Sequence, residues 1–120
     1  MKLAFIGTGK IIADALFAIE PIKEIEKTAI FARPHSKEKA EAFAKQYNIA
    51  EVYTDYEKLL TETTADTVYI GLINSAHYSY AKQALLNGKN VILEKPFNGF
   101  YNEAQELQQI AEENKLFIFE

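Results

Sequence analysis

Glu94-Lys95-Pro96 follows directly on the apolar run Val91-Ile92-Leu93. An acid, a base and a rigid turn stand where a buried parallel strand would leave its sheet. In open α/β sheets that carboxyl edge is where ligands bind. Proline cannot continue a central strand, and it holds the preceding residue in an extended or turn conformation. A lysine fixed there contacts a cofactor or handles a proton, or else only marks a strand end. The choice depends on what the other strand ends carry.

The first strand end carries Gly7-Thr8-Gly9, between the apolar run Leu3–Ile6 and a helix that opens at about Lys10. Gly7 permits a tight turn, and Gly9 lets a pyrophosphate approach the backbone at the positive end of the helix. The third glycine of the dinucleotide fingerprint would fall at Ile12, where bulk is expected to hold the helix further from the strand, although Ala13 is adjacent. An ordinary βα turn could use the same glycines for their dihedrals, but the first strand of a βαβ series favours a dinucleotide site. After the second strand comes Phe31-Ala32-Arg33-Pro34-His35-Ser36-Lys37, with no acid to accept from adenine ribose hydroxyls, and Glu24 and Glu26 precede that strand at its wrong end. Arg33 can clamp a 2′-phosphate bidentately or stack on adenine, with Ser36 and Lys37 adding donors. The bland alternative is a solvated loop, and His35 reads as a loop residue. The missing acid tips the expected cofactor towards NADP over NAD. The fourth strand runs straight into Asn74 and His77. Alone, Asn74 reads as a loop or cap residue and His77 as a structural histidine.

The elements that must position these residues follow from periodicity. Six short apolar runs read as strands: Leu3–Ile6, Ala29–Ala32, Val52-Tyr53, Thr67–Leu72, Val91–Leu93 and Leu116–Phe119. Between them the period changes to that of helices. Ala40, Phe43, Ala44 and Tyr47 form one stripe, with Ser36 as N-cap; Tyr78, Ala81 and Leu85 form another, closed by Asn87-Gly88; Ala104, Leu107, Ile110 and Ala111 form the last. Asp55–Thr61 predicts a shorter helix. Strands alternating with helices predict an α/β, doubly wound parallel sheet with helices on both faces, one domain over residues 1–120.

Composition bounds the chemistry. The formal net charge is −4 with no basic block, which argues against a nucleic-acid partner. No apolar stretch approaches transmembrane length, and the opening apolar run is too short for a signal peptide. There are no cysteines, and the two histidines, His35 and His77, lack partners at metal-ligand spacing. A cytoplasmic, metal-free domain with no membrane contact is expected.

Together the motifs resemble the glucose–fructose oxidoreductase/inositol dehydrogenase/MocA (Gfo/Idh/MocA) family of NAD(P)-dependent oxidoreductases. The resemblance rests on Gly7-Thr8-Gly9, Arg33, Ser36–Ala44, Asn74-x-x-His77 and Val91-Ile92-Leu93-Glu94-Lys95-Pro96-Phe97, in order over essentially the whole chain. Asn-x-x-His followed by Glu-Lys-Pro is its specific part. It implies a Rossmann-type fold with pyrophosphate held by Gly7, Thr8, Gly9, Lys10 and Ile11, and with Arg33 choosing between NAD and NADP. It also implies Asn74 and His77 near the nicotinamide, Glu94 on the ribose, and Lys95 at the hydride-transfer site in a catalytic role. Three departures stand out: Ile12 for a small residue, Ile73 for the proline usual before Asn74, and Ala32 for a polar residue beside Arg33.

The family continues into a second α/β domain that binds a sugar, polyol or related substrate, and this chain is expected to be the nucleotide-binding domain without it. An isolated nucleotide-binding domain is therefore expected to bind cofactor without turnover. An apolar surface left by the missing substrate domain is expected to invite a homodimer or higher assembly. The rival expectation is a non-catalytic NAD(P)-binding sensor or interaction module.

Overall fold

The computed structural model describes residues 1–72, 76–94 and 101–119. Six short strands rich in Val, Ile and aromatic residues form the sheet, the four inner ones largely buried on both faces as a parallel sheet requires. They are β1 (Lys2–Ile6), β2 (Glu26–Phe31), β3 (Glu51–Tyr53), β4 (Thr67–Ile70), β5 (Asn90–Leu93) and β6 (Ile118–Phe119). Helices α1 (Lys10–Ile19), α2 (Lys37–Tyr47), α3 (Tyr56–Glu62), α4 (His77–Leu86) and α5 (Tyr101–Glu113) alternate with them. Every pairing is parallel, in the order β3-β2-β1-β4-β5-β6.

That order puts the helices on two faces. The chain moves outward from β1 to β3, then returns to β4 and moves outward the other way. With crossovers of one hand, the first two helices fall on one face and the rest on the other. Side-chain alternation along β1 shows the result. Leu3 and Phe5 pack with Ile12 and Leu16 of α1 and Ala40 of α2, whereas Ala4 and Ile6 pack with Leu59 of α3, Leu85 of α4 and Leu107 of α5. Between β1 and β4 the direction reverses, which is where a crevice opens in such sheets.

Several boundaries differ from those expected from the apolar runs. β2 starts at Glu26 because it pairs with β1 from Lys2 onward, and a register shift between Leu3 and Ala4 absorbs an extra residue. Glu26 is thus a strand residue, still at the amino end. β4 stops at Ile70, and Gly71 adds one last bond, to the Ile6 carbonyl, before the chain leaves the sheet. β6 is only Ile118–Phe119, because Leu116 is used in closing α5: its N–H donates to the Ala111 carbonyl while Lys115 turns left-handed at φ 57°. Ser36 does stand at the start of α2, but its side chain makes no capping bond, because a single 3-10 turn over Pro34–Ser36 leads into the helix instead. Gly88, at φ 78°, supplies the left-handed residue after α4.

One aromatic group ties this packing to the strand ends. Phe31, the last residue of β2, lies edge-on to Tyr56 with centroids 5.5 Å apart and close to Tyr80 at 5.9 Å. Tyr56 donates its hydroxyl to the Tyr80 carbonyl at 2.8 Å, and burial pushes its phenol up so that it stays a donor. At the far edge of the sheet Phe117 and Phe119 stack at 5.0 Å, with Phe119 61% exposed.

Asp55 caps α3 by accepting from the Lys58 N–H at 3.1 Å, and it is not among the residues that line the pocket at the strand ends. Asp55→Ala should cost about 1 kcal/mol of stability. Urea denaturation should show that loss, and dinucleotide titration should show no change.

Candidate functional site

The carboxyl ends of β1, β2 and β4 converge on an open cleft of about 170 Å³. Gly7, Thr8, Gly9, Ala32, Arg33, His35, Ser36, Gly71 and Leu72 line it. Three backbone bonds extend the ladders past the strands and set its floor. The Gly7 N–H donates to the Phe31 carbonyl at 2.9 Å, the Gly71 N–H to that of Ile6 at 3.0 Å, and the Ala32 N–H to that of Tyr53 at 3.0 Å.

The two glycines of the turn serve different needs. Gly7 has φ +123°, and a Cβ there would lie 3.1 Å from the Gly71 carbonyl oxygen, so both dihedral and space demand glycine. Gly9 has an ordinary φ of −79° and nothing within 4 Å of where its Cβ would be. Protein packing alone gives no reason for glycine there. The open space lies at the amino end of α1, whose first turn carries no side-chain cap and no acidic residue. Free N–H groups and the positive end of the helix dipole face it, the arrangement that receives a phosphate.

Lys10 turns away from the cleft, its ammonium 2.8 Å from Asp14 on the exposed side of α1. Its contact with a pyrophosphate would be made by the backbone. Ile11 is 40% exposed in the same helical turn. Arg33 is half-buried at the cleft wall and has no acidic partner among the described residues. His35, in the connection between β2 and α2, also lines the cleft, and Ser36, its hydroxyl not used in a cap, lines the same space. Among the described residues no acidic side chain lines it.

His77 and Glu94 are not among the described residues that line this cleft. His77 opens α4 with its ring buried, and its Nε2 lies 2.9 Å from the Leu72 carbonyl oxygen. It joins the two ends of the segment that carries Asn74. Asn74 itself, Ile73, Lys95, Pro96 and Phe97 lie outside the described residues. Glu94 is half-buried, and its N–H donates to the Ile70 carbonyl at 3.2 Å, one residue beyond the β4–β5 ladder. Its carboxylate accepts from the hydroxyl of Tyr69 on the neighbouring strand. Burial, then the bond to Glu94, pushes the Tyr69 phenol up, so it remains a donor. Sequence reasoning missed Tyr69 and Gly71. A glycine directly after the fourth apolar run was the available signal for the latter. Among the described residues no group of histidines and acids could hold a metal, and no helix is long and apolar enough to cross a membrane.

The model of the oxidoreductase family with an NAD-binding Rossmann fold, Gfo/Idh/MocA, matches residues 1–120. The chain belongs to this family. It is 31% identical over 120 residues to scyllo-inositol 2-dehydrogenase (NADP(+)) IolU of Bacillus subtilis, covering all of this chain and 36% of the relative. To trans-1,2-dihydrobenzene-1,2-diol dehydrogenase of Xenopus tropicalis it is 30% identical, covering 99% of this chain and 36% of the relative. Among solved structures, the 3-ketoreductase KijD10 of Actinomadura kijaniata, in complex with TDP-benzene and NADP, superposes with a TM-score of 0.90 at 30% identity, over 98% of this chain and 37% of that one. The chain thus spans about a third of the length of these relatives. The described residues of the crevice suit a dinucleotide: an uncapped helix terminus, unfilled space over Gly9 and an arginine with no acidic partner among them.

The contrast between the two glycines is testable. Gly9→Ala should leave the unliganded protein within about 1 kcal/mol of its stability, because its backbone suits alanine. It should nevertheless weaken NADPH binding by about ten-fold or more, since the methyl group occupies the phosphate approach. Gly7→Ala should lower both, stability by about 1–3 kcal/mol. Thermal denaturation and fluorescence titration of the two variants separate the effects.

Proposed function

We propose that this domain binds NADP(H) in preference to NAD(H) and serves a hydride-transferring oxidoreductase. Arg33 carries the cofactor choice. It is half-buried at the end of β2, beside Ser36 and His35, in a cleft with no acidic side chain among its described lining residues. An acid there would accept from ribose hydroxyls and repel a 2′-phosphate; a guanidinium without an acidic partner attracts one and can hold it bidentately. NADP in the names of IolU and the KijD10 complex supports the same choice.

In the parent enzyme the bound nicotinamide would supply or accept the hydride at a hydroxyl-bearing carbon of a sugar, polyol or related small molecule. The names of the relatives, an inositol dehydrogenase, a dihydrodiol dehydrogenase and a ketoreductase, favour this class over a sensor without turnover. Within this chain the residues divide the work. Gly7, Thr8, Gly9 and the backbone of Lys10 and Ile11 seat the pyrophosphate. Glu94, oriented by Tyr69, accepts from a ribose hydroxyl. His77 and Asn74 shape the wall on the nicotinamide side. Lys95, next to Glu94, orients the substrate oxygen or relays its proton. The substrate itself would be held by a second domain of the parent protein.

Fluorescence titration with NADPH and NADH tests the cofactor assignment. Arg33→Ala should weaken NADPH by about ten-fold or more while leaving NADH nearly unchanged, as expected for losing charge-assisted bonds to one phosphate. Equal binding of both cofactors, unaffected by the substitution, would sink the NADP preference. In the full-length parent, Lys95→Ala should lower kcat by about two orders of magnitude or more if the lysine handles the proton. Unchanged turnover would remove it.

A further inference from the structure

The third glycine of a dinucleotide fingerprint normally sits on the helix and lets it lie close to the first strand. Here that position is Ile12, fully buried in the layer between α1 and the sheet. The room for it comes from the neighbouring strand. A Cβ on Gly71, immediately after β4, would stand 2.7 Å from Ile12 Cδ1 and 2.9 Å from Ile12 Cγ1. Both distances are far inside van der Waals contact. Gly71 is not among the residues of positive φ, so it is glycine for space and not for its dihedral. On its other side, its carbonyl oxygen is what a Cβ on Gly7 would meet at 3.1 Å. Gly71 is therefore wedged between the turn that would hold the pyrophosphate and the helix that would face it.

We infer that Gly71 is the displaced third glycine of the fingerprint, a positioning residue that seats α1 and its phosphate-facing terminus by receiving Ile12. The inference rests on the dinucleotide reading of the cleft and specifies what sets its depth. Isoleucine is stiff at χ1, and a close-packed interior leaves it nowhere to turn. A methyl group at position 71 therefore displaces α1 outward, carrying Gly9 and the first free N–H groups of the helix away from the pyrophosphate. Hydrogen bonds near 2.9 Å tolerate little such movement. Shortening Ile12 removes the obstruction and lets the helix return.

The experiment is a cycle of Gly71→Ala, Ile12→Ala and the double variant in the 120-residue chain, read by NADPH titration and by thermal midpoint. Gly71→Ala should weaken NADPH about ten-fold or more, in keeping with the cost of ångström-scale misplacement. Adding Ile12→Ala should restore binding to that of the Ile12→Ala variant alone, and the midpoints should be non-additive in the same sense. Binding by Gly71→Ala equal to wild type, or a loss that Ile12→Ala does not relieve, would overturn the role. If Gly71→Ala does not fold, the double variant decides: folding and binding like Ile12→Ala supports the pairing, and failure of either overturns it. A wild-type chain that binds neither NADPH nor NADH would remove the dinucleotide reading and the positioning role together. Normal wild-type binding without rescue would remove only the role of Gly71.

Discussion

The close approach of β1, β4 and the start of α1 is the constraint on which the site depends. At that point the chain reverses its direction across the sheet, and two strand ends must lie side by side with a helix over them. Gly7 and Gly71 make this possible by having no side chains, and Ile12 fills the space that results. The bonds from Gly7 to Phe31 and from Gly71 to Ile6 then hold three strand ends at one level. A crevice with free N–H groups at its floor is the consequence, and anion binding follows from the helix dipole and the absence of a cap.

The rest of the fold serves this junction from both faces. On one face α1 and α2 close over Leu3, Phe5 and Ile30; on the other α3, α4 and α5 close over Ala4, Ile6 and Val68. The second face also reaches the site directly, because Phe31 is held among Tyr56 and Tyr80 while its carbonyl holds Gly7. Burial of about 25 cal/mol per Å² on both faces gives the sheet the rigidity that a preorganised phosphate seat needs. At the ends of β4 and β5 the corresponding brace is polar: Tyr69 holds Glu94 across the two strands, and His77 holds the end of β4 to α4.

Much of this was legible from residue types alone. The alternation of apolar runs with helical stripes marked all six strands, and the glycine turn and Arg33 stood at the strand ends where the cleft formed. The errors have physical causes. Leu116 reads as a strand residue because it is apolar, yet its backbone is taken up in closing α5. Ser36 reads as a cap, but the 3-10 turn beginning at Pro34 leads the chain into α2 without it. Ile12 read as an obstacle to close packing, because the glycine that accommodates it lies on another strand.

The sequence by itself determined the types and order of the elements, the residues that could chelate a phosphate, and membership of the Gfo/Idh/MocA family. These depend on periodicity, turn chemistry and motif spacing, which are local properties of the chain. Only the tertiary structure decided that Gly71 faces Ile12, that Tyr69 orients Glu94, that Lys10 reaches Asp14, and that the buried His77 ring meets the Leu72 carbonyl. Each of those depends on which strands become neighbours and which face a side chain takes. Parallel crossovers bring together residues that are remote along the chain, and no local pattern in the chain records which ones will meet.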